Sequence, residues 1–149
     1  MNTTGYNLVV KRPIELVALL LERLCGNAQL SLEGDLRYVD TRQIQSISLE
    51  PTDLLRRSTS QPIQDFIILP VEPSTKDILI GSILPQAGLR TRIYHLQIQK
   101  DGERMFAAYD RFEVDCVWIG AWADEAWLTA LVNTGILRTY TPIVETEEL

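Results

Sequence analysis

Between Tyr94 and Gly120 the chain gathers most of its chemically versatile side chains: its only histidine, His95, one of its two cysteines, Cys116, and the carboxylates Asp110, Glu113 and Asp115. An imidazole that titrates near neutrality suits general-base work, and a thiolate is a strong nucleophile. The two would meet only across paired strands, and no acidic residue is spaced to orient the imidazole. His95 alternates with Gln97 and Gln99 on the more polar face of a strand and is expected at the surface or half-buried. Both His95 and Cys116 are expected to be dispensable. The pattern Asp110-x-x-Glu113-x-Asp115 is rich in oxygen, which hard cations favour, and paired carboxylates can share acid and base roles. It lacks the glycine of a calcium loop, and in an extended strand only Glu113 and Asp115 share a face. A turn with solvated charges is expected there, with no metal and no other cofactor. Arg90 and Arg92, two apart after Gly88, would project together from a strand and could grip a carboxylate or phosphate.

Trp118, Trp122 and Trp127 fall within ten residues, near Tyr109 and Phe112. Tryptophan is rarely fully buried and concentrates binding energy at interface centres. Packing of a helix on a sheet accounts for the cluster on its own. A protein-binding patch of Trp118, Trp122, Asp124 and Glu125, with Asp110, Glu113 and Asp115 nearby, is the main functional expectation. The charge supports it. The net −6 is uneven: residues 1–100 hold eleven Lys/Arg against ten Asp/Glu, whereas residues 101–149 hold three against ten. Acidic residues beside aromatic anchors would steer a basic partner.

These features lead to a non-enzymatic cytoplasmic interaction or regulatory domain, of an inhibitor or immunity type in its most specific form. The alternatives are a small-ligand binder or enzyme with a His/carboxylate cleft, and a weak nucleic-acid binder using Arg56-Arg57 with Arg90 and Arg92. No phosphate-binding glycine loop, zinc-protease helix, serine-nucleophile elbow or C-x-x-C pair occurs. Residues Trp127 to Arg138 resemble the closing helix and first wing strand of winged-helix DNA-binding domains. The preceding residues have a strand pattern and the region is acidic, opposite to what phosphate contacts require, so nucleic acid is not the expected partner.

The elements that must position these residues follow from period and punctuation. A chain of 149 residues with 46% hydrophobic content suits one domain with a real core, spanning 1–149 with about six N-terminal and five C-terminal residues as tails. The longest apolar run, Leu16 to Leu21, is six residues, far short of the ~20 that cross a bilayer. The first residues lack a secretory pattern, so export is not expected and a cytoplasmic location is. Pro13 opens a helix running to about Cys25, with Gly26-Asn27 as its stop. Its apolar stripe is so wide that it needs covering on several sides, and with the tryptophans it motivates a homodimer.

From Ala28 the pattern alternates. Extended segments are expected at Leu30–Leu32, at Leu36 and Tyr38, and at Ile44–Leu49, with a helical turn from Pro51 to Arg57. Phe66–Val71 and Ile78–Leu84 are apolar runs that flanking prolines shorten as strands. A strand Arg90–Gln99 leads into Asp101-Gly102, the strongest short-range hairpin signal. That loop would pair Lys100 with Glu103, Ile98 with Met105, Leu96 with Ala107 and Tyr94 with Tyr109, and on the other face Gln97 with Phe106 and His95 with Ala108. A strand around Cys116–Ile119, a helix Asp124–Asn133 and a strand Ile136–Ile143 complete an α+β fold, mainly an antiparallel sheet with the N-terminal apolar helix and a C-terminal helix packed on it.

Overall fold

The Asp101-Gly102 turn sets the centre of the architecture. Both residues sit at positive φ, 52° and 79°, as a two-residue hairpin loop of this hand requires. The computed structural model describes residues 2–145, and around this turn they build a seven-stranded antiparallel sheet. The strands are β1 (Asn2–Val10), β2 (Ala28–Gly34), β3 (Asp65–Val71), β4 (Ile93–Lys100), β5 (Glu103–Ala108), β6 (Val117–Gly120) and β7 (Leu137–Glu145), in the order β3-β2-β4-β5-β6-β1-β7. The helices are α1 (Pro13–Leu24), α2 (residues 76–87) and α3 (Glu125–Asn133). The middle of α2, Leu79–Ile83, is wound as a π-helix. No helix among the described residues is long and apolar enough to cross a membrane.

Alternation along the strands sorts side chains onto two faces. Tyr6, Leu8 and Val10 of β1, Leu30 and Leu32 of β2, Leu96 and Ile98 of β4, Phe106 of β5 and Ile119 of β6 join one core with Leu16, Val17, Leu20 and Leu21 of α1, Leu79 and Ile83 of α2, and Leu128 and Leu131 of α3. The three helices therefore cover one face. The wide stripe of α1 is largely satisfied inside the molecule, by the sheet, by the end of α2 and by Trp127, whose ring lies 4.3 Å from the Arg23 guanidinium.

Several expectations change. Residues 2–6 are not a tail but half of β1, which the sequence hides because Asn2-Thr3-Thr4-Gly5 has no apolar alternation; their partners are β6 and β7. Residues 146–149, the rest of the expected C-terminal tail, lie outside the described residues. Ile78–Leu84 is helical rather than extended: a short apolar run carries no period of its own, and here Leu79, Ile83 and Leu84 point into the core. The segments Leu36–Tyr38 and Ile44–Leu49 and the turn Pro51–Arg57 are neither strands nor helix. They belong to one thirty-residue connection, 35–64, whose one β-bridge to the sheet among the described residues joins Ser48 to Ile68.

The hairpin register also shifts. Lys100 faces Glu103 and Gln99 faces Arg104, but then Ile98 faces Phe106, Gln97 faces Ala107 and Leu96 faces Ala108. Met105 is the extra residue of a β-bulge, and it turns every residue beyond it to the opposite face from the one an unbroken ribbon would give. Its carbonyl, freed from the ladder, accepts the indole N–H of Trp122 at 2.9 Å.

Candidate functional site

The second sheet face, away from the helices, carries the polar residues, and half of it is roofed by the 35–64 connection. Cross-strand pairing sets Glu33 opposite His95 and Ser31 opposite Gln97. All four side chains are buried, with Glu33 only 1% exposed. Each of the three longer ones holds the roof. The Glu33 carboxylate accepts the backbone N–H of Ser58 at 2.7 Å and of Thr59 at 3.1 Å. Gln97 donates to Arg56 O at 2.7 Å. His95 Nδ1 accepts the Asp110 N–H at 3.3 Å, so the ring hydrogen sits on Nε2 and is donated to Thr59 Oγ1 at 2.7 Å. Arg104 adds Nε and Nη2 hydrogen bonds to Leu54 O at 3.1 and 2.6 Å. Under this seam Leu55 packs with Phe66 and Ile68 in a small second core.

His95 is thus buried rather than at the surface, because the connection covers the face that alternation alone leaves open. It does not meet Cys116 in a hydrogen bond. The Cys116 thiol instead lies 3.7 Å from Asp110 Oδ2, and burial followed by that carboxylate pushes its pKa up. A thiol so placed is held protonated, the reverse of an activated nucleophile.

The acidic motif is a tight left-handed turn: Asp110, Arg111 and Phe112 stand at φ 49°, 59° and 63°, and Asp115 at 69°. Three such residues in succession are strained, and the strain is held by neighbours. Arg111 caps the Tyr94 ring at 4.0 Å and donates to Thr91 O at 3.1 Å, while Phe112 is buried beside Phe106. Glu113 and Asp115 are exposed, and no group of acidic, cysteine or histidine side chains among the described residues is placed to hold a metal ion. Arg90 and Arg92 do not converge either. They precede β4 in a turn, Arg90 reaching Val10 O and Arg92 reaching Gln86 O while stacking 4.4 Å over Tyr38.

The tryptophan cluster divides. Trp122 and Trp127 pack together at 5.9 Å against the helical core, and Asp124 caps α3 by accepting the Trp127 N–H at 2.7 Å. Glu125 follows in the first turn of α3, where a negative charge complements the helix dipole. Trp118 lies on the second face, and its ring and that of Trp122 both border Gly120, at 3.4 and 2.8 Å from where a Cβ would stand.

What sequence reasoning missed is a groove along the outer edge of β3. Its cavity of about 480 Å³ is bounded by β3 residues Asp65, Phe66 and Ile67 and by Leu36, Val39, Ile47, Leu49 and Ile63 of the connection. Ile47, Leu49 and Ile63 are 39%, 62% and 69% exposed, large for aliphatic side chains that share one cavity. β3 is an edge strand. Ile68 uses its outward N–H and C=O on Ser48, at 2.7 and 3.0 Å. Two residues earlier, Phe66 points the same groups outward by the antiparallel alternation, and among the described residues no backbone outside the sheet pairs with them. The signal was present as apolar residues within a stretch otherwise composed like a loop. No protein-family model, no curated protein and no solved structure matches this chain.

Proposed function

We propose that the protein is a polypeptide-binding module that takes an extended, apolar segment of a partner along the outer edge of β3. The observation that carries this reading is the gathering of three exposed aliphatic side chains in one groove beside the β3 edge, where the outward backbone groups of Phe66, itself only 3% exposed, have no backbone partner among the described residues. Strand addition uses main-chain hydrogen bonds for affinity and alternate side chains for specificity; this groove offers apolar side-chain contacts directly, and the Phe66 backbone groups once the side chains over them move aside. Contiguous exposed apolar surface on an otherwise polar chain marks an interaction site more often than a packing defect. Covering Leu49 and Ile63 would contribute about 1–2 kcal/mol each, since most of each side chain remains to be buried.

This proposal keeps the interaction class expected from the sequence and assigns it a different surface. Trp122 and Asp124 hold α3 in place, so the acidic C-terminal region serves as a steering field at most, and the docking contacts lie on β3 and the 35–64 connection. Self-association through the same edge would be one form of this activity. The test is to pan a random displayed peptide library on the intact protein and to follow hydrogen exchange with an enriched peptide. Alternating apolar peptides should be selected, should protect the Phe66 amide, and should lose at least about tenfold in affinity on Leu49→Asp. Peptides that bind Leu49→Asp and Ile63→Asp as tightly as the parent, with Phe66 exchange unchanged, would sink the reading.

A further inference from the structure

Among the described residues the other half of the second sheet face has no roof, and it contains a small cavity of different chemistry. Gly5 and Gly120 face each other across β1 and β6. A Cβ on Gly5 would stand 2.5 Å from Trp118 Nε1, and one on Gly120 2.8 Å from Trp122 Cδ1 and 3.4 Å from Trp118 Cη2. The indole therefore lies down over this glycine pair, which is the use a glycine inside a strand most often has. Its cross-strand partner is Ala107, a small side chain that is only 2% exposed at the base of the cavity. The result is a cavity of about 230 Å³ lined by Arg104, Ala107, Tyr109 and Trp118.

Size and chemistry restrict what fits. The volume is below the usual range for drug-sized ligands and suits a single ring. Two walls are aromatic and the floor is a methyl group, which favours a flat, apolar body. Among the described residues Arg104 Nη1 and the Tyr109 hydroxyl make no hydrogen bond, so the polar groups offered are a guanidinium and a phenol, with no carboxylate or amide. Arg104 is also fixed in place by its two bonds to Leu54 O, so its charge is already oriented. A guanidinium set at one wall of an otherwise uncharged cavity selects an anion, and its planar donors match a carboxylate.

We propose that this cavity is a binding site for a small ring carboxylate, its ring seated on Ala107 between Tyr109 and Trp118 and its carboxylate on Arg104. The site lies on the opposite half of this face from the β3 groove, and it stands independently of the peptide-binding reading. Because Arg104 also anchors the roof at Leu54, an occupied site adds a partner to the residue that holds the connection in place.

The experiment is an NMR titration of the full chain with benzoate, and in parallel with benzamide, methyl β-glucopyranoside and inorganic phosphate. Benzoate should give saturable shifts of the Trp118 indole N–H and the Ala107 methyl, and the other three should not. Arg104→Gln should weaken benzoate about tenfold or more, the loss expected for one charge-assisted contact. Ala107→Leu, which fills the floor, should abolish binding, and Ala107→Val serves the same purpose if the leucine variant does not fold. Absence of saturable shifts at tens of millimolar benzoate would overturn the proposal. So would equal binding of benzamide, glucoside or phosphate, or undiminished binding to a folded Ala107 variant.

Discussion

Removing the Glu33 carboxylate should detach the roof without unfolding the sheet. In Glu33→Ala the N–H groups of Ser58 and Thr59 lose their acceptor, and hydrogen bonds to a charged group contribute about 1.5–3 kcal/mol each. Two such bonds, set against the relief of burying a carboxylate, suggest a loss of about 2–4 kcal/mol if the connection has to stay docked. It does not have to stay docked. Once released, its amides reach water, and the cost to global stability is capped at the free energy of docking residues 35–64. Hydrogen exchange should therefore show Ser48, Leu55 and Thr59 amides losing protection, while Leu30, Leu96 and Phe106 in the sheet keep theirs. The urea midpoint should fall by less than the local loss implies. Glu33→Gln keeps one acceptor oxygen and should lie between the two. If Glu33→Ala leaves exchange at Ser48 and Thr59 as in the parent, the buried acid is not what pins the connection.

Gly102→Val should cost more than ~1 kcal/mol in urea denaturation; nothing lies within 4 Å of an added Cβ, so the whole effect is a β-branched residue at φ 79°, and an unchanged midpoint would contradict the turn. Gly5→Ala meets the Ile119 backbone oxygen at 2.7 Å as well as Trp118, and overpacking of that kind should lower stability by about 1–3 kcal/mol; a neutral result would show that the indole does not lie on β1. Because burial and Asp110 raise the Cys116 pKa, its thiolate fraction at pH 7–8 lies below that of a free cysteine, so alkylation by iodoacetamide should be slower than for a free thiol and should quicken in Asp110→Asn. A Cys116 that reacts faster than free cysteine would restore it as a nucleophile.

Elements whose boundaries are written in local chemistry were legible. Pro13 at the first position of α1 and Asp101-Gly102 each act within a few residues, so sequence alone places them, whereas Asp124, expected as the first residue of the C-terminal helix and a binding residue, is its cap. Features that depend on what lies opposite were not. The bulge at Met105 exists because Trp122, seventeen residues on, takes its carbonyl, and no pattern in the hairpin reports that. Strand β1 has weak alternation because Gly5 serves Trp118 on β6 rather than its own strand. His95 looks like a surface residue until the roof is known to cover it, and the same roof turned two expected strands into irregular chain. The tryptophans were legible as a cluster, but not that Trp122 and Trp127 pack against the helical core while Trp118 lines a cavity on the sheet.

The length of the 35–64 connection is itself an argument for function. β2 and β3 are adjacent and antiparallel, so two residues would join them, yet thirty are used and ordered. Fixing each backbone residue costs roughly 1–2 kcal/mol in conformational entropy, and a connection that served only topology would shed that cost by shortening. What holds this one down is specific and expensive: a buried carboxylate, a buried glutamine and a histidine in one tautomer, all on a sheet face that aliphatic residues would otherwise stabilise. What it exposes in return is Leu49 and Ile63 beside the β3 edge. Loops of this length in ordered domains are generally functional, and here the buried polar seam explains how a flexible segment is kept rigid enough to present one groove. A variant with residues 36–63 replaced by a short Asn-Gly turn makes the distinction experimentally. It should keep the seven-stranded sheet, as judged by circular dichroism and exchange in β4 and β5, and lose selected-peptide binding entirely. Full binding by such a folded variant would assign recognition to the bare edge of β3 and leave the connection without a role.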